Sequence, residues 1–177
     1  INIDDRIIKD INDSDRIYIL AAGTSMHAGL IGKRMLEKLA NKFVEVHIAS
    51  EFAYEKPKLS KKPYFIMVTQ SGETADLRAC LKSIENLNRP ILTVTNVVTS
   101  TLARESSYFL NVFAGPEIAV ASTKAYTAQI CLLFLLASKI SNDKIDTENE
   151  LVRLSDSVSE FIQSTDMRKI ASSFLDK

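Results

Sequence analysis

An excess of charge of either sign is absent from this sequence. Its 22 Lys and Arg balance 22 Asp and Glu, so there is no basic field to hold a nucleic-acid backbone and no acidic tail, and nucleic acid is not an expected partner. Cysteine is scarce. Cys80 and Cys131 are the only two in 177 residues, too few for a disulfide framework, and no Cys-x-x-Cys or Cys/His cluster offers a metal site. Both lie in apolar helical patterns, with Leu77, Cys80, Leu81, Ile84 and Leu87 sharing one face. Both are therefore expected to be buried, reduced and inert, as suits a cytoplasmic protein. The longest apolar run, 130–137, falls well short of the roughly 20 residues that span a bilayer, so a soluble chain without a membrane partner is expected. Neither Gly-x-Gly-x-x-Gly nor a glycine-rich loop ending in Gly-Lys-Ser/Thr occurs, which disfavours dinucleotides and nucleoside triphosphates. No cofactor is expected. No period of 20 to 50 residues recurs, and no segment is of low complexity. The chain opens at Ile1 with no Met and no charged leader before an apolar segment, and it is read as a piece of a longer protein.

What is present is an alternation. At 46% apolar the chain is globular in composition, and a domain of this length buries roughly 70% of its unfolded surface. Short β-branched runs at 17–22, 43–48, 64–68, 91–95 and 108–112 alternate with helical patterns at 25–40, 74–87, 101–105 and 120–140, the mark of parallel βαβ units. In the first helix Lys33, Arg34, Glu37, Lys38 and Asn41 form a polar face, with Met35, Leu36 and Leu39 near the other. The 43–48 run alternates Val44, Val46 and Ile48 with Glu45 and His47, which predicts a half-exposed edge strand. After a polar break at 141–144 the pattern is purely helical (Leu151, Leu154, Val158, Phe161, Met167, Ile170, Phe174). The expected fold is α/β: a three-layer, doubly wound, five-stranded parallel sheet of order 2-1-3-4-5 with helices on both faces and right-handed crossovers, spanning 1–142, followed by a helical extension over 143–177.

In that strand order the winding reverses between strands 1 and 3, and ligands sit outside their carboxyl ends. The loops there read Gly23-Thr24-Ser25 and Thr69-Gln70-Ser71-Gly72-Glu73-Thr74, each running straight into a helix. Two helix N-termini thus converge on one crevice, with unpaired N–H groups and the positive ends of two dipoles. The hydroxyls of Thr24, Ser25, Thr69, Ser71 and Thr74 and the Gln70 amide add neutral donors. Hydrogen bonds to a charged group contribute roughly 1.5 to 3 kcal/mol each, so a few hold a phosphate monoester without Lys or Arg. Set against this, Ser and Thr at helix starts commonly serve only as caps. A third segment, 115–125, follows strand 5; its small residues let a ligand approach, and Ser122 and Thr123 either cap the long helix or touch sugar hydroxyls.

Four segments in order carry a resemblance: Ala22-Gly23-Thr24-Ser25 with His27-Ala28-Gly29, then Ile48-Ala49-Ser50-Glu51-Phe52, Gln70-Ser71-Gly72-Glu73-Thr74-Ala75-Asp76 and Val120-Ala121-Ser122-Thr123-Lys124-Ala125-Tyr126. From about residue 15 to 142 the sequence resembles the sugar isomerase (SIS) family, and more narrowly the first of two such repeats in the isomerase half of the glucosamine-6-phosphate synthases. The resemblance implies a sugar-phosphate ligand, with Ser25, Thr69, Gln70, Ser71 and Thr74 on the phosphate and Gly23, Thr24, Val120 and Ser122 on the sugar. It further implies a cytoplasmic homodimer that uses glutamine-derived ammonia to turn fructose 6-phosphate into glucosamine 6-phosphate. A glutaminase domain and a second repeat, which carries the catalytic residues, would lie outside this chain, leaving no catalytic residue within it. Ala22 replaces the family's usual Cys, Thr69 a Ser, Leu77 a Thr and Ala119 a Gly; the phosphate cradle survives these changes, while the identity of the sugar is less constrained.

Other polar residues have competing roles. Glu73 would repel a phosphate unless turned away, and at a helix start it favours the dipole. His27 is expected to pack or cap, and His47 to be solvated on its edge strand. Lys124 either lends charge to the sugar site or lies on the surface, and Glu117 is either an acid/base group or a loop carboxylate. Two other functions remain open: a sugar-phosphate sensor module of a transcription regulator, and a related aminosugar-phosphate isomerase or deaminase. A one-repeat isomerase would have only Glu73, Glu117 and His27 for acid–base work.

Overall fold

The computed structural model describes residues 2–118, 122–141 and 146–175. The β-branched runs become five strands, β1 (Arg16–Ala21), β2 (Val44–Ile48), β3 (Pro63–Val68), β4 (Ile91–Thr95) and β5 (Tyr108–Asn111). They form one parallel sheet of order β2-β1-β3-β4-β5, as the alternation predicts. Every residue of β3 and β4 is buried, Thr93 and Thr95 included, as expected of a parallel sheet covered on both faces. β2 lies at one edge, and its burial declines from Val44 to Ile48.

Helices α1 (Asp5–Asp13), α2 (Gly23–Ala40), α3 (Ala49–Tyr54), α4 (Ala75–Ile84, continued by a 3₁₀ turn at Glu85–Leu87), α5 (Thr101–Glu105) and α6 (Lys124–Ile140) complete the sheet domain. On one face Tyr18, Leu20, Phe65 and Met67 of the sheet pack against Phe52 of α3, Leu77, Cys80, Leu81 and Ile84 of α4, and Leu102 of α5. On the other, α2 lies against β1 and α6. Its glycines set these distances: a Cβ on Gly29 would fall 2.9 Å from Ile19 Cγ2, and one on Gly32 would fall 2.6 Å from Leu133 Cδ1.

Two helices go beyond the expected set. α1 buries only Ile7 and Ile11, and its start is held by Asp4, which accepts a hydrogen bond from the Arg6 amide at 2.8 Å. Its apolar signal is therefore thin. α3 is a six-residue turn with no side-chain cap, running directly from β2. The long helix begins at Lys124, with Ser122 and Thr123 before it; Val120, where its start was expected, lies outside the described residues.

Cys80 is buried as expected. Its Sγ donates to the Ala49 carbonyl at 3.2 Å, and burial pushes the thiol up to about 12. Cys131 corrects the expectation, since it is only half-buried on α6, although burial raises that thiol too. His47 also differs from expectation. Rather than standing in solvent, it is half-buried, with its ring stacked 6.0 Å from Tyr18 and Nε2 3.0 Å from Glu45 Oε2.

The contacts divide the chain into units Ile1–Lys144 and Ile145–Lys177. The second holds α7 (Thr147–Ser164) and α8 (Met167–Leu175). Asp146 caps α7 by accepting from the Asn149 amide at 3.3 Å. Among the described residues no helix is long and apolar enough to cross a membrane, and no group of His, Cys, Asp and Glu is arranged to hold a metal ion.

The tight α2–α6 contact yields a prediction for chemical denaturation. Leu133→Ala removes a fully buried side chain and is expected to cost about 2 to 5 kcal/mol. Adding Gly32→Ala, which by itself collides with Leu133, is expected to recover part of that loss, because the new methyl enters the vacated space.

Candidate functional site

Where β1 and β3 end side by side, the chain makes a crevice of about 460 Å³ lined by Ala22–Ser25, Val68–Ser71, Thr74, Glu117 and Ser122. Of the residues implicated by sequence, Gly23, Thr24, Ser25, Thr69, Gln70, Ser71, Thr74 and Ser122 all come together here. Val120 lies outside the described residues.

Both helix starts are left without a side-chain cap. The residue before α2 is Ala22, which has no hydrogen-bonding side chain, and Thr74, before α4, makes no capping bond to its own helix. The commonest structural reason for Ser and Thr at helix starts is thus not met, and the first-turn N–H groups of each helix remain for a ligand. Gly23 sits at φ +56°, with open space where a Cβ would go, so its conformation rather than crowding calls for glycine.

The β3–α4 loop holds itself in shape. Thr69, 2% exposed, accepts from the Gly72 amide at 3.2 Å, and its Oγ1 lies 3.2 Å from Thr74 Oγ1. Ser71 Oγ accepts from the Glu73 amide at 3.2 Å. The Gln70 carbonyl accepts from the Asn96 amide at 3.1 Å and from Thr95 Oγ1 at 3.3 Å, which ties the loop to the end of β4. Gly72, at φ +67°, packs so closely on α5 that a Cβ would fall 1.9 Å from Ser100 Oγ.

In the α2 loop, Ser25 is buried, and its Oγ accepts from Gln129 Nε2 at 3.0 Å. Gln129, on α6, is a residue that the sequence reading missed. The available signal was one amide directly before the chain's longest apolar run.

Of the two nearby carboxylates, Glu73 is drawn out of the crevice and Glu117 is not. Glu73 turns to α5, where Oε1 accepts from the Thr101 amide at 2.7 Å, and that bond holds its carboxyl below the usual glutamate range. Glu117 does line the crevice, yet it is held at the start of α6. It accepts from the Thr123 amide at 2.9 Å and from Ser122 Oγ at 3.0 Å. The Thr123 bond leads in keeping its carboxyl low. Glu117 thus does what a cap would do, from outside the helix. Lys124 points away to the Pro116 carbonyl and does not line the crevice. His27 corrects a further expectation: it neither packs nor caps but lies exposed on α2, outside the crevice, beside Leu30 and Tyr126.

Most of the chain is similar to known proteins. Residues 10–139 match the family described as SIS domain. The chain is 61% identical over 137 residues to a glutamine–fructose-6-phosphate aminotransferase (isomerizing) of Oceanobacillus iheyensis, covering 77% of this chain and 23% of that protein. It is 48% identical over 182 residues to the protein of the same name from Staphylococcus aureus, covering 99% of this chain and 30% of the relative. The C-terminal domain of a glucosamine-fructose-6-phosphate aminotransferase from Francisella tularensis superposes with a TM-score of 0.74 at 31% identity, over 91% of this chain and 46% of that one. The chain therefore spans only 23% to 30% of the length of these two curated relatives.

Two predictions follow from the loop. Gly72→Ala is expected to destabilise the domain by at least about 2 kcal/mol in denaturant titration, since it adds backbone strain to a collision with Ser100. For Glu73, the depressed carboxyl means that the folded state favours the ionised form. Its stabilisation is complete at neutral pH and is lost as pH falls from the ordinary glutamate range through the depressed value. Glu73→Gln should therefore melt below the unmodified chain at neutral pH, and the gap should close as pH falls below the ordinary glutamate range and through the depressed value.

Proposed function

We propose, since the chain belongs to the SIS domain family, that it is the sugar-phosphate-binding first repeat of an enzyme making glucosamine 6-phosphate from fructose 6-phosphate and glutamine-derived ammonia. The observation that carries this reading is the pair of uncapped helix starts meeting at the ends of β1 and β3, surrounded by hydroxyls and free of Lys and Arg. The names of its relatives support it. Residues 1–142 would form the sugar-phosphate domain, and 143–177 would lead towards a second repeat. That repeat and a glutaminase domain would belong to the rest of a cytoplasmic homodimer.

In this reading the two ends of the ligand meet different chemistry. The phosphate is gripped by Ser25, Gln70, Ser71 and Thr74, with Thr69 backing Thr74 through their 3.2 Å contact, together with the first-turn N–H groups, as charge-assisted bonds. The carbon skeleton lies towards Gly23, Thr24 and Ser122. Because the Ser122 hydroxyl donates to Glu117, its lone pairs face outward and suit the O–H groups of a sugar. Glu117 is also the only titratable side chain on the crevice wall among the described residues. Held ionised at the start of α6, it is a poor proton donor, and ring opening and isomerisation need both an acid and a base. The chain would bind its ligand and turn over nothing.

Isothermal titration of the chain with fructose 6-phosphate and glucosamine 6-phosphate tests this, alongside a coupled isomerase assay. Ser71→Ala with Thr74→Ala is expected to raise Kd at least about tenfold with the fold intact. Unchanged affinity would move the cradle elsewhere, and appreciable isomerisation by the 177 residues would overturn the division of labour.

A further inference from the structure

Gln129 is 1% exposed in a helix otherwise packed with Leu and Ala, a costly place for an amide. Its Oε1 has no hydrogen-bond partner among the described residues. A Leu or Met would fill the same space without leaving a buried acceptor unpaired, so packing does not account for it. What the amide supplies is one bond, from Nε2 to Ser25 Oγ at 3.0 Å, between residues 104 apart in the chain.

The direction of that bond matters. A serine hydroxyl has one proton and two lone pairs. With Nε2 occupying a lone pair, the Ser25 proton is free to be donated into the crevice. With the amide turned over, Ser25 would donate to Oε1 and present only lone pairs to an approaching anion, which is repulsive. An anion in the crevice therefore favours the orientation with Nε2 facing Ser25, and a donor from α6 sets Ser25 as a donor before the ligand arrives. Preorganisation of this kind raises affinity by removing the need to reorient on binding.

We infer that Gln129 is a positioning residue for the phosphate site, acting through Ser25 to fix that hydroxyl as a donor to the ligand's phosphate. The inference rests on the crevice being the sugar-phosphate site. It assigns the α6 side of the crevice a part in binding that no residue on the crevice wall reveals, since Gln129 itself does not line the crevice.

The test is calorimetric titration of the 177-residue chain with glucosamine 6-phosphate, comparing Gln129→Met, Gln129→Glu, Ser25→Ala and the Ser25→Ala/Gln129→Met pair. Thermal melts report on folding. Gln129→Met, similar in volume and without a donor, is expected to weaken binding about tenfold. Gln129→Glu, kept protonated at so buried a position and so still able to donate to Ser25, is expected to weaken binding less than Gln129→Met. In the Ser25→Ala background Gln129→Met should change Kd by less than about twofold, because there is no hydroxyl left to orient. A purely structural role would instead weaken binding equally in both backgrounds, and that result would overturn the inference. So would a Gln129→Met Kd within about twofold of the unmodified chain. Should Gln129→Glu fail to fold, the Met series decides alone. Absence of binding by the unmodified chain would overturn the site assignment itself, an outcome distinct from normal binding that ignores Gln129.

Discussion

The site depends on what the lone pairs of its hydroxyls are doing. Ser71 Oγ takes an N–H from Glu73, Thr69 Oγ1 takes one from Gly72, and Ser25 Oγ takes one from Gln129. Each hydroxyl satisfied in this way by the protein keeps its proton for something else. Thr69 and Thr74 extend the pattern. With Thr69 donating across their 3.2 Å contact, Thr74 keeps its own proton, and an anion beyond it favours that direction because aligned bonds polarise one another. A site with no Lys or Arg on its wall can thereby be strongly biased toward negative charge, as two helix dipoles and several committed donors act without any mobile cationic side chain.

Both carboxylates that the sequence places nearby are bonded to helix starts, although Glu117 stays on the crevice wall. Glu73 is taken up by α5 and Glu117 by α6. Each helix gains an acceptor for its first turn, while α2 and α4, which face the ligand, have no side-chain cap. Capping is thus distributed so that the helices aimed at the crevice keep their N–H groups. Glycine makes the close geometry feasible. Gly72 lets the loop turn at positive φ directly against Ser100, and Gly32 lets α2 approach α6 closely enough for Gln129 to reach Ser25.

The fold was largely legible in the sequence, because the strands are short runs rich in β-branched residues and their crossover helices have their own period. The cradle loops were legible for a related reason, since strand order dictates which loops meet and those two are rich in hydroxyls. The departures have physical causes. α1 has only two buried positions and α3 is barely more than a turn, so neither carries a full helical pattern. His47 alternates like a solvent-facing residue, but its ring is stacked on Tyr18 of the neighbouring strand. His27 sits in the first turns of a helix whose ligand-facing side is the other one, and sequence spacing near a loop does not report which side that is.

By itself the sequence determined the elements, their order and the two loops that carry the ligand chemistry, because these follow from local periodicity and from the few ways a parallel sheet can wind. Only the tertiary structure decided which hydroxyl protons are free, which carboxylates are turned aside and that an amide from α6 reaches Ser25. A hydrogen bond's direction is set by partners that meet only when distant segments pack, and no spacing rule within one segment encodes it.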